Sequence, residues 1–160
     1  VTFAAFKPSH DHPVAQGTRA HQLAMYVLYE APLQMLSDSP TDYRATPENL
    51  ACAKFMASVP TVWDDVKGVG GELGRWVALA RRKGDAWYAG AMTDWTGRTV
   101  ELDTSFLGAG DWAAEIWADA PDAATEPTHY VKASRTVRAG EKLAVALAPG
   151  GGWAARFTRK

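Results

Sequence analysis

The sequence predicts an α+β chain: the last helix–strand–helix of an α/β barrel, followed by an antiparallel β-sandwich. Three observations carry that expectation. Residues 18–40, TRAHQLAMYVLYEAPLQMLSDSP, pass from an apolar helical run into a short apolar strand that ends in Ser37, Asp38 and Ser39. The hydrophobic period is helical before Pro60 and becomes two after it. Two helices and one strand in residues 1–59 cannot bury their own apolar surface, and a parallel strand flanked by helices belongs in a larger sheet or barrel. Residues 1–59 are therefore expected to be the closing end of a barrel (loop, helix, strand, helix), and residues 60–160 an antiparallel β-sandwich domain.

The first helix places Ala20, Leu23, Ala24, Val27, Leu28 and Ala31 at helical spacing, and Met25, Tyr26 and Tyr29 widen its apolar face until little is left to water. Such a helix needs neighbours: the rest of a barrel, the chain's own sandwich, or a second copy. Pro32 ends helical hydrogen bonding. Leu33 to Leu36 is then short, apolar and closed by a polar turn, the pattern of a buried parallel strand. The second helix is announced by Thr46 as N-cap, Pro47 at the first helical position and Glu48 in the first turn, and should run to about Ser58. Its face is Leu50, Ala53, Met56 and Ala57, with Cys52 and Phe55 beside them.

Beyond Pro60, segments 76–82 and 86–94 flank Lys83, Gly84 and Asp85, a hairpin with glycine available for the left-handed position. Segment 98–103 alternates Val100 and Leu102 against Thr99, Glu101 and Asp103. Segments 112–118, 130–137 and 143–148 behave similarly, and a last hairpin turns at Pro149 and Gly150 to Gly152 and returns as 153–158. Strands at these spacings make a sandwich or Greek-key sheet.

Composition excludes several classes. The 160 residues are 47% apolar and 22% charged with a net charge of −1, which argues against disorder. Lys and Arg are scattered apart from Arg81, Arg82 and Lys83, so no basic stripe offers itself to nucleic acid. No apolar run approaches the ~20 residues of a membrane span, and the first residues lack the charged n-region of a signal peptide. The lone Cys52 allows no internal disulfide and reads as core.

Several blocks, GTRAHQLAMYVLYEAPLQMLSDSP, VPTVWDD, ARRKGDAWYAGAMTDW, LDTSFLGAG and LAPGGGWAAR, occur in one order between Gly17 and Arg156. Together they resemble the carboxyl-terminal part of glycoside hydrolase family 97, the α-glucosidase and α-galactosidase family. The resemblance implies that the barrel is a (β/α)8 barrel, with residues 18–31 its seventh helix, 32–36 its eighth strand and 47–58 its eighth helix. It implies a parent that hydrolyses α-glucosides or α-galactosides with calcium-assisted glutamate chemistry, those glutamates preceding this segment. The chain alone is then expected to be inactive, with no catalytic residue and no metal ligand of its own. Its partners would be the remainder of the parent hydrolase, or a second copy through the apolar helices, and carbohydrate. An exported parent, periplasmic or secreted, is also implied. Glu30 matches the family pattern, but at the end of the helix it lies away from the catalytic face and reads as structural.

In such barrels the loops at the carboxyl ends of strands build the active site. On that geometry Ser37 and Asp38 border the pocket, with Asp38 the better candidate; a turn or capping contact is the ordinary alternative. Residues 1–16 would be the loop after strand seven, bringing His10, Asp11 and His12 to the same side. Adjacent residues seldom chelate one ion and no third ligand is placed by spacing, so this triplet reads as a solvated loop rather than a zinc site. No dense acidic loop offers the ~6–8 oxygens that calcium wants.

The seven tryptophans suggest an alternative role for the sandwich, as a carbohydrate-binding or interaction module. Trp87 and Trp95 share a phase with Ala89 and Ala91, and Trp153 with Ala155 and Phe157, which reads as core. Trp117 shares its phase with Ala113 and Glu115 and is expected to be exposed, making it the candidate for stacking on sugar. Gly150 to Gly152 lacks the Lys and Ser or Thr of a phosphate loop. Asp64 with Asp65, and Asp94 near Asp103, read as ordinary strand-end acids rather than acid–base pairs.

Overall fold

The computed structural model describes residues 15–31, 33–36 and 38–160. Three helices, α1 (Arg19–Leu28), α2 (Pro40–Arg44) and α3 (Pro47–Ser58), precede eight strands. These are β1 (Asp65–Glu72), β2 (Trp76–Lys83), β3 (Ala86–Thr93), β4 (Arg98–Asp103), β5 (Asp111–Asp119), β6 (Tyr130–Arg138), β7 (Lys142–Leu147) and β8 (Gly152–Arg159). Six of them form one antiparallel sheet in the order β1-β2-β3-β8-β5-β6, and β4 pairs with β7 in a second sheet. The helices lie on the opposite face of the large sheet, so that sheet is the middle layer of three.

Alternation along each central strand feeds both sides. On one side Trp87, Ala89, Ala91, Trp112, Ala114, Trp153, Ala155 and Phe157 meet Val100, Leu102, Leu143, Val145 and Leu147 of the small sheet. On the other, Tyr88, Trp117 and Ala154 meet Leu23 and Val27 of α1 and Cys52 and Phe55 of α3. Helix α1 seats itself through small residues: Ala20 and Ala24 are wholly buried. Gly90 and Gly152 face it from β3 and β8, and a Cβ on Gly152 would lie 2.4 Å from the Cα of His21.

The helix starts follow the sequence signals. Thr18 caps α1 by accepting the N–H of His21 at 3.1 Å, and Thr46 caps α3 by accepting that of Asn49 at 3.1 Å. The α3 boundaries, Pro47 to Ser58, are those expected. Helix α1 is shorter than expected, ending at Leu28 with Tyr29 already extended at φ −80° and ψ 136°. Helix α2 was not anticipated, although its signal was present: Ser39 and Asp42 form a capping box in front of a proline.

Four further expectations need correction. Residues 33–36 carry no sheet pairing among the described residues, and Leu33, Met35 and Leu36 are 79%, 79% and 55% exposed. A parallel strand draws its hydrogen bonds from neighbouring strands, and nothing in this segment supplies them. Strand β1 was missed because its three glycines and exposed positions leave no period to detect. The expected last hairpin is a crossover: β7 pairs with β4, and the glycine turn carries the chain into the large sheet, where β8 sits between β3 and β5. Trp95 is 63% exposed rather than core, because β3 ends at Thr93 and its phase is not inherited past the turn at Asp94.

Candidate functional site

Of the residues expected to border a pocket, His10, His12 and Ser37 lie outside the described residues. Asp38 sits just before α2 and donates its backbone N–H to the Tyr43 hydroxyl at 3.0 Å. It lines a cavity of about 50 Å³ between the three helices with Arg19, Gln22, Tyr26, Asp42 and Asn49. Arg19 donates to the side-chain oxygen of Asn49 at 3.1 Å, and Asn49 in turn donates to the Asp42 carbonyl at 2.9 Å. Burial, then Tyr43 and Asp38, push the Tyr26 phenol above its ordinary pKa. Small-molecule pockets run to about 300 Å³ and more. This cavity is much smaller, and the bonds of its lining residues, Arg19 to Asn49 and Asn49 to the Asp42 carbonyl, tie the three helices together.

Trp117, the candidate for sugar stacking, is buried at 3% exposure. Its ring packs 4.3 Å from that of Phe55 of α3, with the Lys132 ammonium 5.1 Å from its centroid. Its phase is not solvent, because α1 and α3 pack on that face of the sheet and Phe55 covers the indole. Trp87, Trp112 and Trp153 are core. Trp95 is thus the only tryptophan exposed over most of its surface, and its ring lies over Gly150, where a Cβ would come within 2.6 Å of it. The two or three coplanar tryptophans on one surface that would support a sugar-binding face are not found among the described residues. Among the described residues, no three His, Cys, Asp or Glu side chains gather as metal ligands.

Two other arrangements stand out. The first is a groove of about 240 Å³ walled by Met25, Tyr26 and Tyr29 of the α1 region and by Leu33 and Met35. The Tyr26 hydroxyl donates to the Met35 carbonyl at 3.1 Å and the Gln34 amide to the Tyr26 carbonyl at 3.0 Å, which folds residues 33–36 back along the helix. Tyr29, at 47% exposure, and Leu36 extend the strip.

The second is the anchor of the amino-terminal end of α1, which sequence reasoning missed. Asp119, the last residue of β5, accepts the Thr18 hydroxyl on Oδ1 at 2.5 Å. Its Oδ2 accepts the backbone N–H groups of Ala148 and Gly152, both at 2.9 Å. The main chain adds two bonds: Thr18 N–H to the Gly150 carbonyl at 3.0 Å and Arg19 N–H to the Pro127 carbonyl at 2.8 Å. The His21 Nδ1 lies 3.1 Å from the Gly151 carbonyl. Thr18 is 1% exposed, and burial pushes the Asp119 carboxyl up in pKa against the pull of its hydrogen bonds. The glycine run has a specific role here, since a Cβ on Gly151 would lie 2.0 Å from Asp119 Oδ2. Those glycines were visible in the sequence as a turn, but a lone acid at the end of a strand carries no signal of what it will meet.

Residues 62–158 match the family model described as "Glycosyl-hydrolase 97 C-terminal, oligomerisation". Over 152 residues the chain is 42% identical to a retaining alpha-galactosidase of Bacteroides thetaiotaomicron, covering 95% of this chain and 22% of that protein. A probable retaining alpha-galactosidase of Streptomyces bingchenggensis is 32% identical over 85% of this chain and 20% of its own length. The chain therefore spans about a fifth of the curated relatives it matches. Among solved structures, a Glycoside Hydrolase Family 97 enzyme from Pseudoalteromonas sp. strain K8, in complex with acarbose, superposes with a TM-score of 0.83 at 37% identity. That match covers 89% of this chain and 23% of the other.

Proposed function

Because the chain belongs to glycoside hydrolase family 97 and is the carboxyl-terminal segment of such an enzyme, we propose that its β-domain buttresses the catalytic barrel of an α-galactoside hydrolase. The observation that carries this reading is the seating of α1 on the large sheet. A helix that resembles a barrel helix is packed, backbone against backbone at Gly152 and Gly90, on a sheet of the β-domain. The barrel and the β-domain would then share one wall and move as one body.

The α-galactoside assignment follows the two curated relatives named above, and retention of anomeric configuration follows with it. Hydrolysis of α-glucosides remains the second substrate reading, because the Pseudoalteromonas enzyme, 37% identical to this chain, is in complex with acarbose. Retaining hydrolysis uses two carboxyl groups about 5–5.5 Å apart. We assign both to the part of the parent beyond this segment, together with the calcium, whose ~6–8 oxygen ligands no cluster among the described residues provides. The apolar strip of Tyr29, Leu33, Met35 and Leu36 would be covered by the rest of the barrel, where residues 33–36 gain strand neighbours. An exported parent, periplasmic or secreted, is part of the same proposal, as is self-association of the isolated chain through the strip.

The experiment compares the 160-residue chain with the full-length enzyme on p-nitrophenyl α-galactoside and α-glucoside in the presence of calcium. The expected result is turnover by the full-length enzyme, with the first product sugar in the α configuration by NMR, and none by the chain alone. Turnover by the pure 160-residue chain would overturn the reading.

A further inference from the structure

We propose that Asp119 is a positioning residue for hydrolysis: through Thr18 it fixes the point at which the chain leaves an active-site loop and enters α1. The inference rests on the reading above, in which α1 is a barrel helix. A helix that follows a barrel strand begins at the carboxyl-terminal face of the barrel, where the loops between strands and helices build the active site. The N-cap of α1 is therefore the downstream end of one such loop, and whatever holds Thr18 sets where that loop ends.

The holding group comes from the β-domain. Both oxygens of one carboxylate are in use, Oδ1 on the Thr18 hydroxyl at 2.5 Å and Oδ2 on the amides of Ala148 and Gly152 at 2.9 Å. Asp119 thereby clamps three separate pieces of chain: the loop exit, the end of the small sheet and the start of β8. The Thr18 hydroxyl serves twice, donating to Asp119 and accepting the His21 N–H, so one group joins the cap of α1 to the β-domain. The space is reserved for this arrangement. Gly17 has φ +86° and its Cβ would lie 2.6 Å from the Gly150 carbonyl, so the approach to Thr18 admits only glycine without displacement. A Cβ on Gly151 would lie 2.0 Å from Asp119 Oδ2. The bonds seen at Asp119 all go to the chain's own groups, and the site's reach to the chemistry is through the backbone of residues 17 and 18. Misplacement by 1 Å of a group that positions substrate is worth on the order of a hundredfold in rate.

The test uses the full-length hydrolase with Asp119→Asn, Thr18→Val, Thr18→Ser and the double variant Asp119→Asn/Thr18→Val. The values of kcat and KM on p-nitrophenyl α-galactoside and α-glucoside are read per folded molecule, well below each unfolding midpoint. Asp119→Asn and Thr18→Val are expected to lower kcat/KM at least tenfold. Thr18→Ser, which keeps the hydroxyl, should stay within about threefold of the unaltered enzyme. The double variant should lose no more than the worse single one, because both remove the same bond. A bond that serves only stability would lower the unfolding midpoint and leave kcat/KM unchanged, and that result overturns the inference. Should Asp119→Asn not fold, the Thr18 pair is read by the same criterion. An unaltered enzyme inactive on both glycosides overturns the proposed function and this inference with it; an active one indifferent to these substitutions overturns the inference alone.

Discussion

Gly152→Ala is the sharpest probe of how α1 is seated. The added Cβ would lie 2.4 Å from His21 Cα, 2.6 Å from His21 N and 2.9 Å from Ala20 C, all backbone atoms that no rotamer change can move. Ordinary contact for a Cβ begins at 3.4 Å, so α1 must retreat from the sheet by about 1 Å. That retreat stretches the Thr18 bonds to Asp119 and Gly150 from 2.5 and 3.0 Å to beyond hydrogen-bonding range. Overpacking of this kind costs about 1–3 kcal/mol, and each lost bond about 0.5–1.5 kcal/mol more. The sum, roughly 2–6 kcal/mol, is a large share of the ~5–15 kcal/mol that holds a domain together. For a chain of this size it corresponds to a fall in unfolding midpoint on the order of 10 °C. The assay is thermal and urea unfolding of the chain followed by circular dichroism, with Gly68→Ala as control. Gly68 lies on the edge strand β1 with no atom within 4 Å of its would-be Cβ, and alanine there should change stability by less than ~0.5 kcal/mol. If Gly152→Ala unfolds within ~0.5 kcal/mol of the unaltered chain, the close seating of α1 is wrong.

Trp117→Ala should cost about 3–5 kcal/mol in urea unfolding, as expected for an aromatic removed from a core, and should leave saccharide binding to the chain, measured by calorimetry, unchanged. The pH dependence carries opposite signs at two acids. Asp119, raised by burial, binds more protons folded than unfolded between the ordinary value of 3.8 and its higher folded value, so its contribution to stability falls as pH rises through that window. Asp94, lowered first by the Thr96 backbone N–H, contributes stability that is present above 3.8 and lost as pH falls through its lower folded value. Unfolding midpoints from pH 2 to 6 should therefore fall less, or rise more, above pH 3.8 in Asp119→Asn than in the unaltered chain, and lose part of their acid-side rise in Asp94→Asn. Leu33→Ser with Met35→Ser should reduce any self-association of the isolated chain in light scattering while leaving its unfolding midpoint within about 2 °C, since both side chains are 79% exposed.

What the sequence made legible was local. Thr46, Pro47 and Glu48 announce α3 because cap, ring and charge act within one turn. Val100 and Leu102 declare the inner face of β4, and Gly84, at φ +57°, declares the turn between β2 and β3. Where meaning depended on partners far along the chain, the reading failed. Trp117 looked exposed because its phase neighbour is Glu115, and only the arrival of Phe55 from α3 makes that face interior. Leu33 to Leu36 have the composition of a buried strand, but composition does not supply the adjacent strands. The pairing of β7 with β4 rather than β8 is likewise a choice among sheets that alternation cannot express, because both edges present the same period.

The two-sidedness of α1 follows from the same distinction. Its apolar residues exceed what one interface uses: Ala20, Leu23, Ala24, Val27 and Leu28 are spent on the sheet, while Met25, Tyr26 and Tyr29 point into the strip with Leu33 and Met35. A helix apolar nearly all round is a helix buried on several sides. Here Ala20 and Ala24 bring the helix backbone close to the sheet while Leu23, Val27 and Leu28 fill the same buried face, and Met25, Tyr26 and Tyr29 line the face left for side-chain packing. That asymmetry makes the sheet contact the rigid one, fixed to within an ångström by Gly152 and Asp119. The strip, built from Met, Tyr and Leu side chains with freedom to repack, suits the surface that joins the rest of the barrel. The β-domain would on this argument set the position of α1, and the barrel would close against a helix already placed.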